Sequence, residues 1–299
     1  MINTENISKQ YGTLTAVDGW TMQVEKGGLY GVIGPDGAGK TTFFRLLTTM
    51  LLPSGGRAWV CGCDVVKDYR KVRQLIGYMP GKFSLYEDLS VEENLNFFAS
   101  VFNCKVSDNI ALVNDIYSQL VRFKDRRAGK LSGGMKQKLA LCCAMIHRPE
   151  VLFLDEPTTG VDVVSRREFW EMLKKLAASG ITILVSTPYM DEAEMCSRIA
   201  LVSGGRFLTE DSPAGLVKKF DGKIFAVSAD NMSSLSKDLK KYAHTKTSFS
   251  FGNEVHLRFD DGGSVAGLTE YLQNLSHNNI SVSEITPSVE DCFMALTNA

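Results

Sequence analysis

The stretch Gly34-Pro35-Asp36-Gly37-Ala38-Gly39-Lys40-Thr41-Thr42 fits the pattern G-x-x-x-x-G-K-[ST] in full. Glycines so spaced let backbone N–H groups turn inward around a β-phosphate at a helix N-terminus, whose dipole favours the anion. Lys40 would then reach the β and γ phosphates, and the Thr41 hydroxyl would ligate Mg²⁺. A second pair of chemical groups, Asp155-Glu156, closes the apolar run 151–154. In a chain that already holds a phosphate-binding loop (P-loop), Asp155 would complete the Mg²⁺ shell and Glu156 would polarise an attacking water. A third stretch is Leu131-Ser132-Gly133-Gly134-Met135-Lys136-Gln137, in which Ser132 caps a helix whose first glycines leave backbone amides open to another anion.

Each of these sites needs an element behind it. Residues 29–33 read as a buried strand leading into the P-loop, and a helix starts at 42. The run 151–154, a helix over 165–178 stopped by Gly180, and a strand over 182–186 repeat the rhythm strand, helix, strand, which predicts a parallel sheet covered by helices. The N-terminal residues 1–26 alternate weakly around the turn signal Tyr11-Gly12 and predict an antiparallel β part. Short strands are expected over 58–60 and 76–79. From Ser90 the pattern becomes helical: Ser90-Val91-Glu92-Glu93 is a capping box, Leu95, Phe98, Ala99 and Phe102 recur at helical spacing, and no glycine occurs from Lys82 to Ala128. This predicts a helical insert over about 90–127, and a further helix is expected over 135–147. Beyond a boundary near 218, strands over 224–228, 247–251, 255–259 and 280–285 alternate with helices over 233–242 and 265–275. That β-α-β-β-α-β order predicts a small ferredoxin-like α+β domain over 219–299, with a last short helix at 289–296.

The 299 residues carry Lys+Arg 33 against Asp+Glu 34, a formal charge of -1 with no basic stripe, which argues against an electrostatic nucleic-acid binder. The N-terminus has no basic, apolar leader, and no run approaches the ~18 apolar residues of a membrane span. The chain is therefore expected in the cytoplasm, with any membrane role supplied by a partner. Seven cysteines without C-x-x-C spacing suit reduced, mostly buried thiols.

Taken together, the P-loop, the Leu131–Gln137 stretch and Asp155-Glu156 some twenty residues later resemble the ATP-binding-cassette (ABC) family, whose signature motif is L-S-G-G-x-x-Q. The likeness runs from about residue 2 to 215. It implies a P-loop NTPase cassette over 1–218 that takes ATP and Mg²⁺. It further implies that Tyr11 stacks on adenine, that 158–162 with Asp162 form the D-loop, and that 90–127 are the helical subdomain. The family works as a head-to-tail dimer in which ATP lies between the P-loop of one cassette and the signature of the other, so Ser132, Gly133, Gly134 and Gln137 would serve a neighbour's nucleotide. Tyr189-Met190-Asp191-Glu192-Ala193-Glu194, Leu85-Tyr86-Glu87-Asp88-Leu89 and the C-terminal segment resemble the ATP-binding subunits of ABC-2-type exporters, the drug-resistance group. That implies integral-membrane permease subunits as partners and a peripheral place on the inner face of the cell membrane.

Two positions depart from the family. Gly81 stands where the Q-loop glutamine is expected, and Pro188 where the switch histidine is expected. Loss of a polar group that touches the γ-phosphate or the water slows a reaction about 10²-fold or more, so two losses predict slow turnover at this chain's own P-loop. The binding elements are untouched. The expected arrangement is a heterodimer in which this signature completes a competent site on another cassette; a homodimer with sluggish turnover through Glu156 is the alternative. A soluble ABC-type ATPase and a non-hydrolysing, nucleotide-dependent regulatory cassette are the other readings of the same residues.

Overall fold

The weak alternation at the N-terminus folds into a hairpin of β1 (Ile2–Tyr11) and β2 (Leu14–Val24). The computed structural model describes residues 1–297, the side chains of 110 and 111 excepted. Eight further strands join the hairpin: β3 (Gly28–Ile33), β4 (Gly55–Val60), β5 (Cys63–Asp64), β6 (Ile76–Met79), β7 (Val151–Asp155), β8 (Thr182–Thr187), β9 (Arg198–Ser203) and β10 (Arg206–Asp211). Their order in one sheet is β5-β4-β1-β2-β10-β9-β3-β8-β7-β6. Strands β9, β3, β8, β7 and β6 pair in parallel, whereas β1, β2, β4 and β5 pair antiparallel. Every residue of β7 and β8 is buried, as expected for strands covered on both faces.

The P-loop helix Lys40–Leu47 fixes the loop against both halves of this sheet. It buries Phe43, Phe44, Leu46 and Leu47. Phe43 meets Trp20 of β2 with ring centroids 4.7 Å apart, and Phe44 meets Phe153 of β7 edge-on at 6.0 Å. Full burial of each such ring is worth roughly 1.5–3 kcal/mol, so the helix that carries Lys40 and Thr41 is firmly seated.

The helical insert begins as expected. Ser90 caps helix Val91–Val101 with a complete capping box, Ser90 accepting from the Glu93 N–H and Glu93 accepting from the Ser90 N–H. The rest of the insert is built of short helical pieces. After Asn103, which adopts a φ of 54°, the chain breaks into short turns such as Val106–Asn109, Asn114–Tyr117 and Val121–Phe123. β-Branched Val106, Val113, Ile116 and Val121 recur through it, residues that lose side-chain freedom in a long helix. The helix Gly133–Met145 starts directly after Ser132, two residues ahead of expectation. Helix Tyr69–Leu75 and strands β9 and β10 have no counterpart in the sequence reading. Of these β9 matters most, because it flanks the P-loop strand β3 in parallel.

His147, just beyond the helix Gly133–Met145, stacks on Phe102 at 3.6 Å and bonds the Ile76 carbonyl through Nε2 at 2.9 Å. Burial pushes its pKa below the ordinary 6.5. The fold favours the neutral ring, so below pH 6.5 the unfolded chain takes up a proton that the folded chain resists, and stability falls with pH. Thermal melts at pH 7 and pH 5.5 should therefore show a larger drop for the wild type than for His147→Phe, which keeps the stack and cannot titrate. Equal drops would remove His147 as the cause.

Contacts divide the chain into one unit over Met1–Pro213 and another beginning at Ala214, ahead of the boundary expected near 218. The second unit holds β11 (Ile224–Ser228), β12 (Thr245–Phe251), β13 (Glu254–Phe259) and β14 (Ser281–Ile285) in the order β12-β13-β11-β14, with all neighbours antiparallel. Helices Met232–Leu239 and Val265–Asn274 bury Leu235, Leu239, Leu268 and Leu272 against Val227, Val255 and Leu257 of that sheet. This is the ferredoxin-like order that the sequence predicts. The closing helix Val289–Thr297 is tied to β13 by Asp291, which bonds His256 at 2.7 Å.

Candidate nucleotide site

The P-loop sits where β3 ends. Gly34 donates its N–H to the carbonyl of Thr187 at 3.3 Å, and a Cβ at position 34 would stand 2.1 Å from the Val202 carbonyl oxygen, so the loop passes too close to β9 for any side chain. Gly39 adopts a φ of 97°, and a Cβ there would stand 2.1 Å from the carbonyl oxygen of Ala16 in β2. Both ends of the loop are therefore glycine by geometry. The Lys40 side chain, only 3% exposed, folds back over the loop. It donates to the carbonyls of Gly34 at 2.8 Å and Pro35 at 3.0 Å, and its ammonium lies 3.2 Å from Glu156 Oε1.

β7 delivers the carboxylates. Asp155 Oδ1 accepts from Thr41 Oγ1 at 3.1 Å and from Ser186 Oγ of β8 at 2.6 Å. Glu156 follows with a φ of 50°, a left-handed conformation that costs of order 1–3 kcal/mol for a non-glycine residue. Its N–H offsets part of that cost by donating to both Ser186 O and Ser186 Oγ, each at 3.0 Å. Ser186 thus sets both acids, a role the sequence reading missed.

The two departures lie against the same site. A Cβ at Gly81 would stand 3.0 Å from the Asp155 carbonyl oxygen and 3.6 Å from Glu156 Cβ, so a side chain at 81 would face the acids. Pro188 follows directly on Thr187, whose carbonyl holds the Gly34 N–H. Tyr11 is 44% exposed at the tip of the β1–β2 hairpin, with Lys9 Nζ 5.4 Å from its ring centroid. The same hairpin backs Gly39 through Ala16. An exposed ring on that hairpin can take a flat base.

The signature forms a separate cluster. Ser132 caps helix Gly133–Met145, accepting from the Met135 N–H at 3.4 Å. A Cβ at Gly133 would have only the Gly160 carbonyl within 3.7 Å, whereas one at Gly134 would strike Ser165 Oγ at 2.7 Å. Gln137 is half-buried one turn further along this helix. Asp162 caps helix Val163–Ala178 by accepting from the Ser165 N–H at 3.0 Å, a bond that holds its carboxyl below the usual range. The structure therefore brings 34–42, 155–156, 81 and 188 together, and joins 132–134 to 160–165 instead.

Thr41 Oγ1 and Asp155 Oδ1 are hard oxygen donors side by side at the loop, a set that suits Mg²⁺. Two such oxygens fill only part of a Mg²⁺ shell, so they fit a cation shared with phosphates. Among the described residues no helix is long and apolar enough to cross a membrane.

A family model described as ABC transporter matches residues 17–159. The probable multidrug ABC transporter ATP-binding protein YbhF of Escherichia coli is 40% identical over 219 residues, which is 72% of this chain and 38% of YbhF. The chain thus spans well under half the length of that relative. The daunorubicin resistance ATP-binding protein DrrA2 of Streptomyces coeruleorubidus is 36% identical over 306 residues, covering 99% of this chain and 94% of DrrA2. Among solved structures, cbiO1 of Clostridium perfringens, part of an ABC transporter complex, matches with a TM-score of 0.65 at 25% identity, over 73% of this chain and 90% of its own. With its P-loop, acids and signature set on this sheet, and with DrrA2 matched over nearly the whole of both chains, the chain belongs to the ATP-binding proteins of the ABC transporter family.

Proposed function

We propose that this chain is the ATP-binding subunit of a membrane exporter for a drug or another hydrophobic small molecule. It would lie on the inner face of the membrane against integral permease subunits of the ABC-2 type, and would close on a second cassette when ATP binds. The single observation that carries the reading is the convergence of Lys40, Thr41, Asp155 and Glu156 around the P-loop, with positions 81 and 188 lacking the polar groups that would complete the site.

In this reading the P-loop N–H groups and Lys40 bind the β and γ phosphates, Tyr11 takes the adenine, and Thr41 and Asp155 hold Mg²⁺, which would neutralise charge on the phosphates. Glu156 stands 3.2 Å from Lys40, placed to accept a proton from water attacking the γ-phosphorus. With glycine at 81 and proline at 188, that water has neither a glutamine nor an imidazole to orient it. Turnover at this site is therefore slow, while Ser132, Gly133, Gly134 and Gln137, beside the D-loop Asp162, complete a competent site on a different cassette.

Steady-state Mg-ATP turnover of the purified chain tests this, measured beside ATP binding and beside Glu156→Gln. Micromolar binding with turnover near the Glu156→Gln background is expected. Clear turnover that Glu156→Gln abolishes would favour a working homodimer, the reading supported by Glu156 being in place. Co-purification with ribosomes instead of membranes would overturn the exporter assignment.

A further inference from the structure

The carboxylate of Glu192 has no part in phosphate or metal binding in the reading above, yet it is 2% exposed and fully engaged. Its Oε1 accepts from Thr158 Oγ1 at 2.7 Å, its Oε2 accepts from Thr187 Oγ1, and Arg166 Nη1 lies 3.9 Å from Oε1. These partners come from three places. Thr187 ends β8, and its carbonyl takes the N–H of the P-loop residue Gly34. Thr158 opens the segment 158–162. Arg166 follows Ser165, against whose hydroxyl Gly134 of the signature packs. Arg166 also lies over the Tyr189 ring at 4.6 Å, a second clasp between the same two segments.

A buried carboxylate stays in a protein only where donors satisfy it, and here the donors belong to elements facing different anion sites. We infer that Glu192 is a positioning residue that locks the D-loop and, through Ser165, the signature glycines to the end of the strand beside this chain's own P-loop. Nucleotide held at the P-loop is thereby felt at the signature presented to the second cassette. The inference rests on the function proposed above, in which ATP draws two cassettes together.

The test uses the full chain with two readouts: binding of a fluorescent ATP analogue at dilute concentration, and association in Mg-ATP followed by sedimentation. Glu192→Ala should bind nucleotide within about two-fold of the wild type while association weakens about ten-fold. Glu192→Gln, which keeps an acceptor in the same shape, should recover most of that association. Thr158→Val, which removes only the D-loop arm, should weaken association in the same direction and stands in if the alanine variant does not fold. Association like the wild type in Thr158→Val and Glu192→Ala overturns the inference. Parallel loss of nucleotide binding and association also overturns it, since that is what a merely structural role produces. A wild type that associates in Mg-ATP neither with its own copy nor with a cassette co-purified with it from membranes would instead sink the proposed function, and this inference with it.

Discussion

Lys40→Ala should lower the affinity for Mg-ATP by about 10²-fold to 10⁴-fold, the loss of two charge-assisted hydrogen bonds at roughly 1.5–3 kcal/mol each. The lysine sits on a helix whose apolar face is pinned by Trp20 and Phe153, so its Cα is placed before any ligand arrives. Its ammonium is held over the loop by two carbonyls and by Glu156 at 3.2 Å. Removing it takes away the positive charge and also leaves Glu156 unpaired near the phosphates, which adds repulsion to the loss. Equilibrium binding of a fluorescent ATP analogue, with a melting curve to show that the variant is folded, reads this directly. A folded Lys40→Ala chain that binds within a few-fold of the wild type would mean that the loop does not hold phosphate.

Local features were legible in the sequence and distant pairings were not. The P-loop, the Ser90 capping box and the strands 76–79 and 182–186 depend on neighbours within a few residues, so pattern alone located them. The helical character of 90–127 was legible from its capping box and spacing, whereas its division into short pieces after Asn103, where β-branched residues disfavour a longer helix, was not. Strand β9 went unread although Ile199, Ala200, Leu201 and Val202 form an apolar run before Gly204-Gly205; its place beside β3 is set by tertiary pairing. Ser186 and Glu192 were invisible for the same reason. A serine in a strand or a glutamate in a turn says nothing of its partner until Asp155, Glu156, Thr158 and Thr187 are brought to it. Asp162, read by resemblance as a D-loop residue, also caps the following helix, a role the resemblance did not supply.

The double substitution Gly81→Gln with Pro188→His should raise Mg-ATP turnover at this site by about 10²-fold or more, the reverse of losing two groups that touch the water and γ-phosphate. Position 81 already faces the acids, since a Cβ there would stand 3.6 Å from Glu156 Cβ. The same Cβ would stand 3.0 Å from the Asp155 carbonyl oxygen, so the loop must yield by a few tenths of an ångström. Gly81 does not adopt a positive φ, so a side chain there meets crowding but no backbone strain. At 188, histidine restores an imidazole directly after Thr187, whose hydroxyl still caps the Tyr189 N–H at 3.1 Å. The two groups act on one water, so each single change should gain far less than the pair. Adding Glu156→Gln to the pair should return turnover to background, because the restored groups orient a water whose proton Glu156 accepts. A folded, ATP-binding double variant with unchanged turnover would show that Gly81 and Pro188 are not what slows this site, and would move the cause to the closure of the two cassettes.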